Sequence, residues 1–363
     1  MSGTLPDYDS KVRAKFSVKD VFVLPDGEAE YDVSYSPGTG RLFKELEAEL
    51  SPTGYAPWMS GSPDDCVLTV RKKDPPPSKS RLPLLLALLT VASVVFFAIL
   101  ENVGYGMFAP NISGGYVFAA YAAGIVALLG VQEVAHMYAE RRAGSASSTR
   151  YIVPGIPIVT NFLPSLGVVS TRRQPAVNRN SAFDALIAGP LALLAASTVL
   201  YIVGTLTAVQ SSIAIPSGDL LNPNLIQALV DAAIPSSSSS SAAGLVMLSP
   251  LADAATIGFI LAFFELLPLA LFDGGYLALL SLGSRAWRVL TYVFAFLLVV
   301  IDTPNYWAPA VLALLLAGRV PHVPVLDDVS SVSRNRKVLY LLVVLLAFAA
   351  LPIPKNLASV PLG

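Results

Sequence analysis

The sequence predicts a mostly α-helical polytopic membrane protein, with about six to seven membrane helices behind a small α+β cytosolic domain. Three observations carry that prediction. The 363 residues are 54% hydrophobic and only 13% charged, with a mean hydropathy of +0.63, whereas a soluble globule is usually about one quarter charged. The first 74 residues break this pattern with mixed polar and apolar stretches. Lysine and arginine then alternate between rich and empty connections along the rest of the chain. The single cysteine, Cys66, excludes an internal disulfide and a cysteine metal cluster. A net charge of −1 singles out no partner.

Residues 1–74 read as a soluble domain of the β-hairpin, helix, strand type. Val21-Phe22-Val23 and the run from Glu30 to Tyr35 alternate as strands do, the run from Leu42 to Leu50 has helical spacing, and Val67-Leu68-Thr69-Val70 is strand-like. A proline-rich, basic linker occupies residues 75–81. With no apolar run before residue 82, no cleavable signal peptide is expected in this sequence. The membrane-embedded domain covers 82–363, with apolar segments near 82–100, 115–140, 183–206, 251–272, 286–302, 307–318 and 338–352. Several fall short of the roughly 20 residues of a full span.

Positive charge sets the expected orientation. Arg71, Lys72, Lys73, Lys79 and Arg81 precede the first span, and the stretch from Glu101 to Gly114 has no lysine or arginine. Arg141, Arg142, Arg150, Arg172, Arg173 and Arg179 fill the second connection, and residues 207–250 again have none. Arg285 and Arg288, then Arg319, Arg334, Arg336 and Lys337, mark the remaining inner sides. The N-terminal domain is therefore expected in the cytosol and the serine run at 236–241 outside, as a flexible loop.

Two motifs stand at matching depth. Gln132-Glu133-Val134-Ala135-His136 lies in one apolar helix, and Phe272-Asp273-Gly274-Gly275 is expected to close another. His136 is 21 residues into the span that starts near 115, and Asp273 is 22 residues into the span that starts near 251. At about 1.5 Å per residue both sit roughly 30 Å along helices that run the same way. Positions 132 and 136 share a helix face, so both could ligate a metal, with Glu133 placed to take a proton from a metal-bound water. Asp273 would be the third ligand. Taken singly, the first motif could be an interhelical polar contact and the second a helix-ending turn.

With these residues the chain resembles the site-2 protease family of intramembrane zinc metalloproteases, in the archaeal and chloroplast-like branch with a soluble N-terminal domain. The family pairs His-Glu-x-x-His with Asn-x-x-Pro-x-x-x-Leu-Asp-Gly, and here the second motif reads from Glu265 through Pro268 to Asp273 and Gly274. Asn178-Arg179, Phe183-Asp184 and Ala188-Gly189-Pro190 match further family landmarks. Residues 150–170 match a partly inserted β element that lies beside the substrate in the family, and the stretch from Arg334 to Pro354 reads like its final span. The resemblance implies one zinc site, Glu133 as catalytic base, and a membrane-anchored protein as substrate.

The departures bear on activity. Position 132 is Gln instead of His, 265 is Glu instead of Asn, 193 is Leu where Gly tends to recur, and Tyr276 stands where His is frequent. Zinc prefers imidazole, thiolate and carboxylate to a neutral amide, so Gln132 is a weak ligand. Glu265 is a possible substitute: either it reaches the metal as a carboxylate, or Gln132 and Glu265 hydrogen-bond in a metal-free cluster, with Pro268 allowing a kink that shortens the gap. The only other histidine, His322, lies between Pro321 and Pro324 and reads as a solvent-side loop residue. Three classes of function follow: a zinc protease acting on membrane-anchored proteins, a catalytically inactive relative that binds or scaffolds membrane clients, and an ion or solute carrier. The partners expected are the lipid bilayer and a membrane-anchored protein, without nucleic acid.

Overall fold

A computed structural model describes residues 6–24, 27–36, 38–73, 81–144, 148–156, 163–172, 175–211, 223–234, 247–270, 272–301, 303–318, 323 and 325–351. The serine run at 236–241 and His322 lie outside these residues.

The N-terminal region is built from helices α1 (Asp9–Lys15) and α2 (Thr39–Leu50) and strands β1 (Val18–Val23), β2 (Ala29–Val33), β3 (Tyr55–Gly61) and β4 (Cys66–Lys72). Phe43, Leu46 and Leu50 recur at helical spacing and form the buried stripe of α2. On β2, Ala29, Tyr31 and Val33 alternate inward. Helix α1 and strand β3 are additions to the sequence reading. Pro57 within β3 removes a donor and breaks the usual strand signal, yet it still pairs opposite Val70.

All seven apolar segments correspond to helices: α3 (Leu82–Phe108), α4 (Gly114–Arg142), α5 (Arg179–Leu206), α7 (Pro250–Leu266), α8 (Asp273–Ile301), α9 (Thr303–Ala317) and α10 (Arg334–Ala350). Four of these, Leu82–Phe108, Gly114–Arg142, Arg179–Leu206 and Asp273–Val300, are long and apolar enough to cross a membrane, and the last is kinked at Gly283, which is non-helical at φ 86° and ψ 174°. A short helix, α6 (Leu225–Ala233), falls in the long connection after α5 and starts with a capping box between Asn224 and Gln227. The centre of the bundle is α4, α5 and α7. Their backbones approach closely at small residues: a Cβ at Gly124 would meet Ala254, and one at Gly258 would run into Ser197.

The helix beginning near 251 does not run on to Asp273. It stops at Leu266, and Leu267 is extended with ψ 145°, because Pro268 offers no N–H and pushes its predecessor out of the helical region. Asp273 instead opens α8. The close turn before it needs Gly274 and Gly275, where a Cβ would strike the carbonyls of Leu266 and Leu269.

Between α4 and α5 the chain forms an antiparallel hairpin, β5 (Ser148–Pro154) with β6 (Ser165–Arg172), in the segment expected to be β. The Ser93 hydroxyl on α3 donates to the Gly155 carbonyl at 2.9 Å and ties the hairpin to the bundle. Two three-residue strands, β7 (Ala176–Asn178) and β10 (Val325–Asp327), join the N-terminal strands in one six-stranded sheet of order β1-β2-β4-β3-β10-β7. A separate two-stranded pair links β8 (Val209–Gln210) and β9 (Met247–Leu248).

Candidate metal centre

Helix α4 buries Gln132, His136 and Glu140 along one line, as residues four apart must when they share a face. His136 is held from two sides. Its Nδ1 lies 3.1 Å from the Ala185 carbonyl on α5, which can only accept, and Nε2 faces the site. Nε2 stands 3.1 Å from Asp273 Oδ2. Both side chains are almost wholly buried.

Close approach of α5 makes this possible. A Cβ on Gly189 would occupy the position of the His136 imidazole, so only glycine lets the ring lie on the α5 backbone. Asn178 starts that helix by accepting the Ser181 N–H at 2.8 Å. Arg336 forks onto the Asp184 carboxylate through bonds of 2.7 and 2.6 Å. Phe183 and Leu193 are fully buried in the bundle core.

One turn away from His136, Gln132 Nε2 donates to Glu265 Oε1 at 3.4 Å, with both residues buried. Glu265 lies in the last turn of α7, just before the break at Leu267. Gly167 of β6, at φ +102°, packs on the Glu265 carboxylate where a Cβ would not fit. Gln132 Oε1 is buried and has no hydrogen-bond partner among the described residues. Glu133 is half-buried on the flank of this face, and Tyr276 is half-buried one turn into α8.

The structure thus brings together His136 with Asp273 and Gln132 with Glu265. Ala185, Gly189 and Gly167 complete the surroundings, and sequence reasoning gave them no role at the site. The Ala-Gly-Pro landmark was the signal for Gly189, and nothing local marks Ala185 or Gly167.

Whether these residues fit a zinc ion depends on donor chemistry. His136 is set as metal-bound histidines are, with Nδ1 on a carbonyl and Nε2 directed inward, and Asp273 beside it is a second suitable donor. Among the described residues, no group of three His, Cys, Asp or Glu side chains converges on one point. Of the two candidates for the remaining place, the Gln132 amide is a poor zinc donor and spends its Nε2 on Glu265, and Glu265 does not join His136 and Asp273 in such a group. The donor set does not fit a three-ligand zinc centre.

A histidine and an aspartate presented by two apolar helices lie next to a glycine-lined helix and a β-hairpin. Residues 120–301 match the model of Peptidase family M50, and the chain belongs to that family. It is 28% identical over 247 residues to the probable zinc metalloprotease EGY1, chloroplastic, of Arabidopsis thaliana, a stretch covering 66% of this chain. The chain spans 43% of that relative's length. No solved structure matches it.

Proposed function

We propose that this protein is a member of the site-2 protease type that holds membrane-anchored protein clients without cutting them. The observation that carries the reading is the Gln132–Glu265 hydrogen bond across α4 and α7. Two departures from the family pattern lie opposite each other and are joined by one hydrogen bond, so each gives the other a polar partner inside an apolar bundle. The N-terminal domain and the site face the cytosol in this reading, in keeping with the arginine and lysine distribution. The β5–β6 hairpin beside the site supplies strand edges of the kind that pair with an extended segment.

A second reading is favoured by one specific contact. His136 and Asp273 meet at 3.1 Å, and Glu133 is present in the sequence, so a weakened zinc protease retains its base and two of its ligands. Zinc content per chain in detergent-purified protein separates the two. The first reading expects little zinc in the parent protein and about one zinc per chain in a Gln132→His/Glu265→Asn variant, together with cleavage of a transmembrane test substrate. About one zinc per chain in the parent protein, lost in His136→Ala and Asp273→Ala, overturns the first reading and supports the second.

A further inference from the structure

The N-terminal sheet does not end with its own strands. Strand β10 adds in parallel to β3, with Asp327 opposite Met59, and β7 adds in parallel to β10, with Val325 opposite Ala176 and Asp327 opposite Asn178. The Asp328 N–H donates to the Met59 carbonyl at 3.1 Å. Because successive strand residues face opposite ways, these two short strands belong to two cores at once. Ala176 and Val325 are buried in the core of the helical bundle, while Val177 and Leu326 are buried in the N-terminal core with Phe43, Leu46 and Met59.

Each strand continues into a helix that reaches the polar site. Strand β7 passes into α5 through the Asn178 cap, and about 10 Å along that helix, at 1.5 Å per residue, the Ala185 carbonyl meets His136. Strand β10 leads to α10, where the Tyr340 hydroxyl donates to the Gly274 carbonyl at 3.4 Å, next to Asp273. The two arms are fastened together before they reach the site. Arg179 holds Asp328 at 2.9 Å, the Ser333 N–H donates to Asn180 Oδ1 at 2.9 Å, and Arg336 forks onto Asp184.

Asp327 sits at the centre of the junction and is fully buried. Its Oδ1 accepts the Val329 and Ser330 N–H groups at 3.2 and 3.0 Å. Its Oδ2 lies close to the first turn of α2, where a Cβ on Gly40 would stand 3.5 Å from it, and makes no hydrogen bond among the described residues. Helix α2 has no side-chain cap of its own, and a carboxylate at a helix N-terminus is favourably placed.

We propose that residues 6–73 act as a strap: by gripping β7 and β10 they hold α5 and α10 in register against His136 and Asp273, so engagement of the N-terminal domain sets the geometry of the site. A ligand or partner that displaces the domain would reach the site through the two arms.

The test uses the full chain in lipid nanodiscs with a protease recognition sequence placed in residues 74–80. After cleavage, the N-terminal fragment stays bound to the parent bundle through size-exclusion chromatography, and a Val177→Ala/Leu326→Ala variant releases it. On release, hydrogen exchange accelerates by about tenfold or more across 179–189 and 334–340 and is unchanged in 254–264, the response of a local unit and not of the whole bundle. Dissociation of the fragment from the parent, its retention by the double variant, unchanged exchange in the two arms, or equal acceleration in 254–264 would each overturn the strap.

Discussion

Two polar pairs stand about one helical turn apart on α4, about 6 Å along its axis, and their surroundings differ. The His136–Asp273 pair is fitted into the backbone of another helix: Ala185 accepts from the ring, and Gly189 makes room for it. The Gln132–Glu265 pair joins two side chains through a bond of 3.4 Å, long for a hydrogen bond, and is closed over by the Gly167 backbone. Where the backbone is shaped around a group, that group cannot be exchanged cheaply. Where two side chains meet, one replacement can be answered by another across the interface. The first pair consists of two zinc-ligating residue types, His136 and Asp273, and the second contains the amide of Gln132.

Adding a side chain to each cradle sharpens the comparison, and the largest effect is expected at Gly189. Gly189→Val drives a branched side chain into the imidazole, and overpacking of this kind costs about 3 kcal/mol or is relieved only by ejecting His136. The expected result is a large fall in the thermal midpoint or loss of folded protein. Gly130→Val is the control, since a Cβ there meets nothing within 4 Å. Equal tolerance of both substitutions would remove the contrast.

Gly167→Ala is the matching change at the second pair. Its positive φ and its contact with Glu265 both oppose a Cβ, for a combined cost of about 1–2 kcal/mol. The damage should remain local. With only two histidines in the chain, ¹⁵N-histidine spectra can be assigned with a His322→Ala variant, and the His136 ring signals are expected to survive Gly167→Ala unshifted. A shift as large as that of an Asp273→Asn variant would show that the two pairs form a single unit.

How much of this was legible in the sequence depends on the range of each signal. Hydropathy located the seven apolar helices, because long apolar runs dominate any local window, but it missed the short α6 and started α8 near 286 instead of at Asp273. The spacing of Gln132 and His136 put both on one face, and Pro268 marked the place where the chain departs from a helix. The actual break was harder to read. From apolarity alone, α7 runs on to Asp273, but Leu267 is extended and Asp273 opens the next helix. Strands β7 and β10 are three residues each, too short for any periodicity, and their partners lie more than one hundred residues away in sequence. The contact of Gly189 with His136 is equally non-local, so the landmark containing that glycine could be noticed but not explained.

The Gln132–Glu265 pair can also be broken by deletion. Gln132→Leu or Glu265→Leu alone leaves one buried polar group facing a leucine, a loss of about 1 kcal/mol. The double variant replaces both and should recover most of that loss, giving a positive coupling energy in a double-mutant cycle measured by thermal or SDS-induced unfolding. Additive losses would mean that the 3.4 Å contact contributes nothing.

The smallest effect is expected behind Asp273. Tyr340 is fully buried in the bundle core, and its hydroxyl reaches the Gly274 carbonyl at 3.4 Å. Tyr340→Phe removes that hydroxyl, keeps the ring in place and leaves an acceptor with its helical partners, so the stability change should stay within about 0.5 kcal/mol. Its use lies in the direction of the response. If α10 positions Asp273 through Gly274, the variant shifts the His136 ring signals and leaves the Gln132–Glu265 coupling energy unchanged, because that pair takes its support from β6 and the end of α7. A change in the coupling energy with unmoved ring signals would place α10 behind the other pair and reverse the assignment of supports on which the comparison rests.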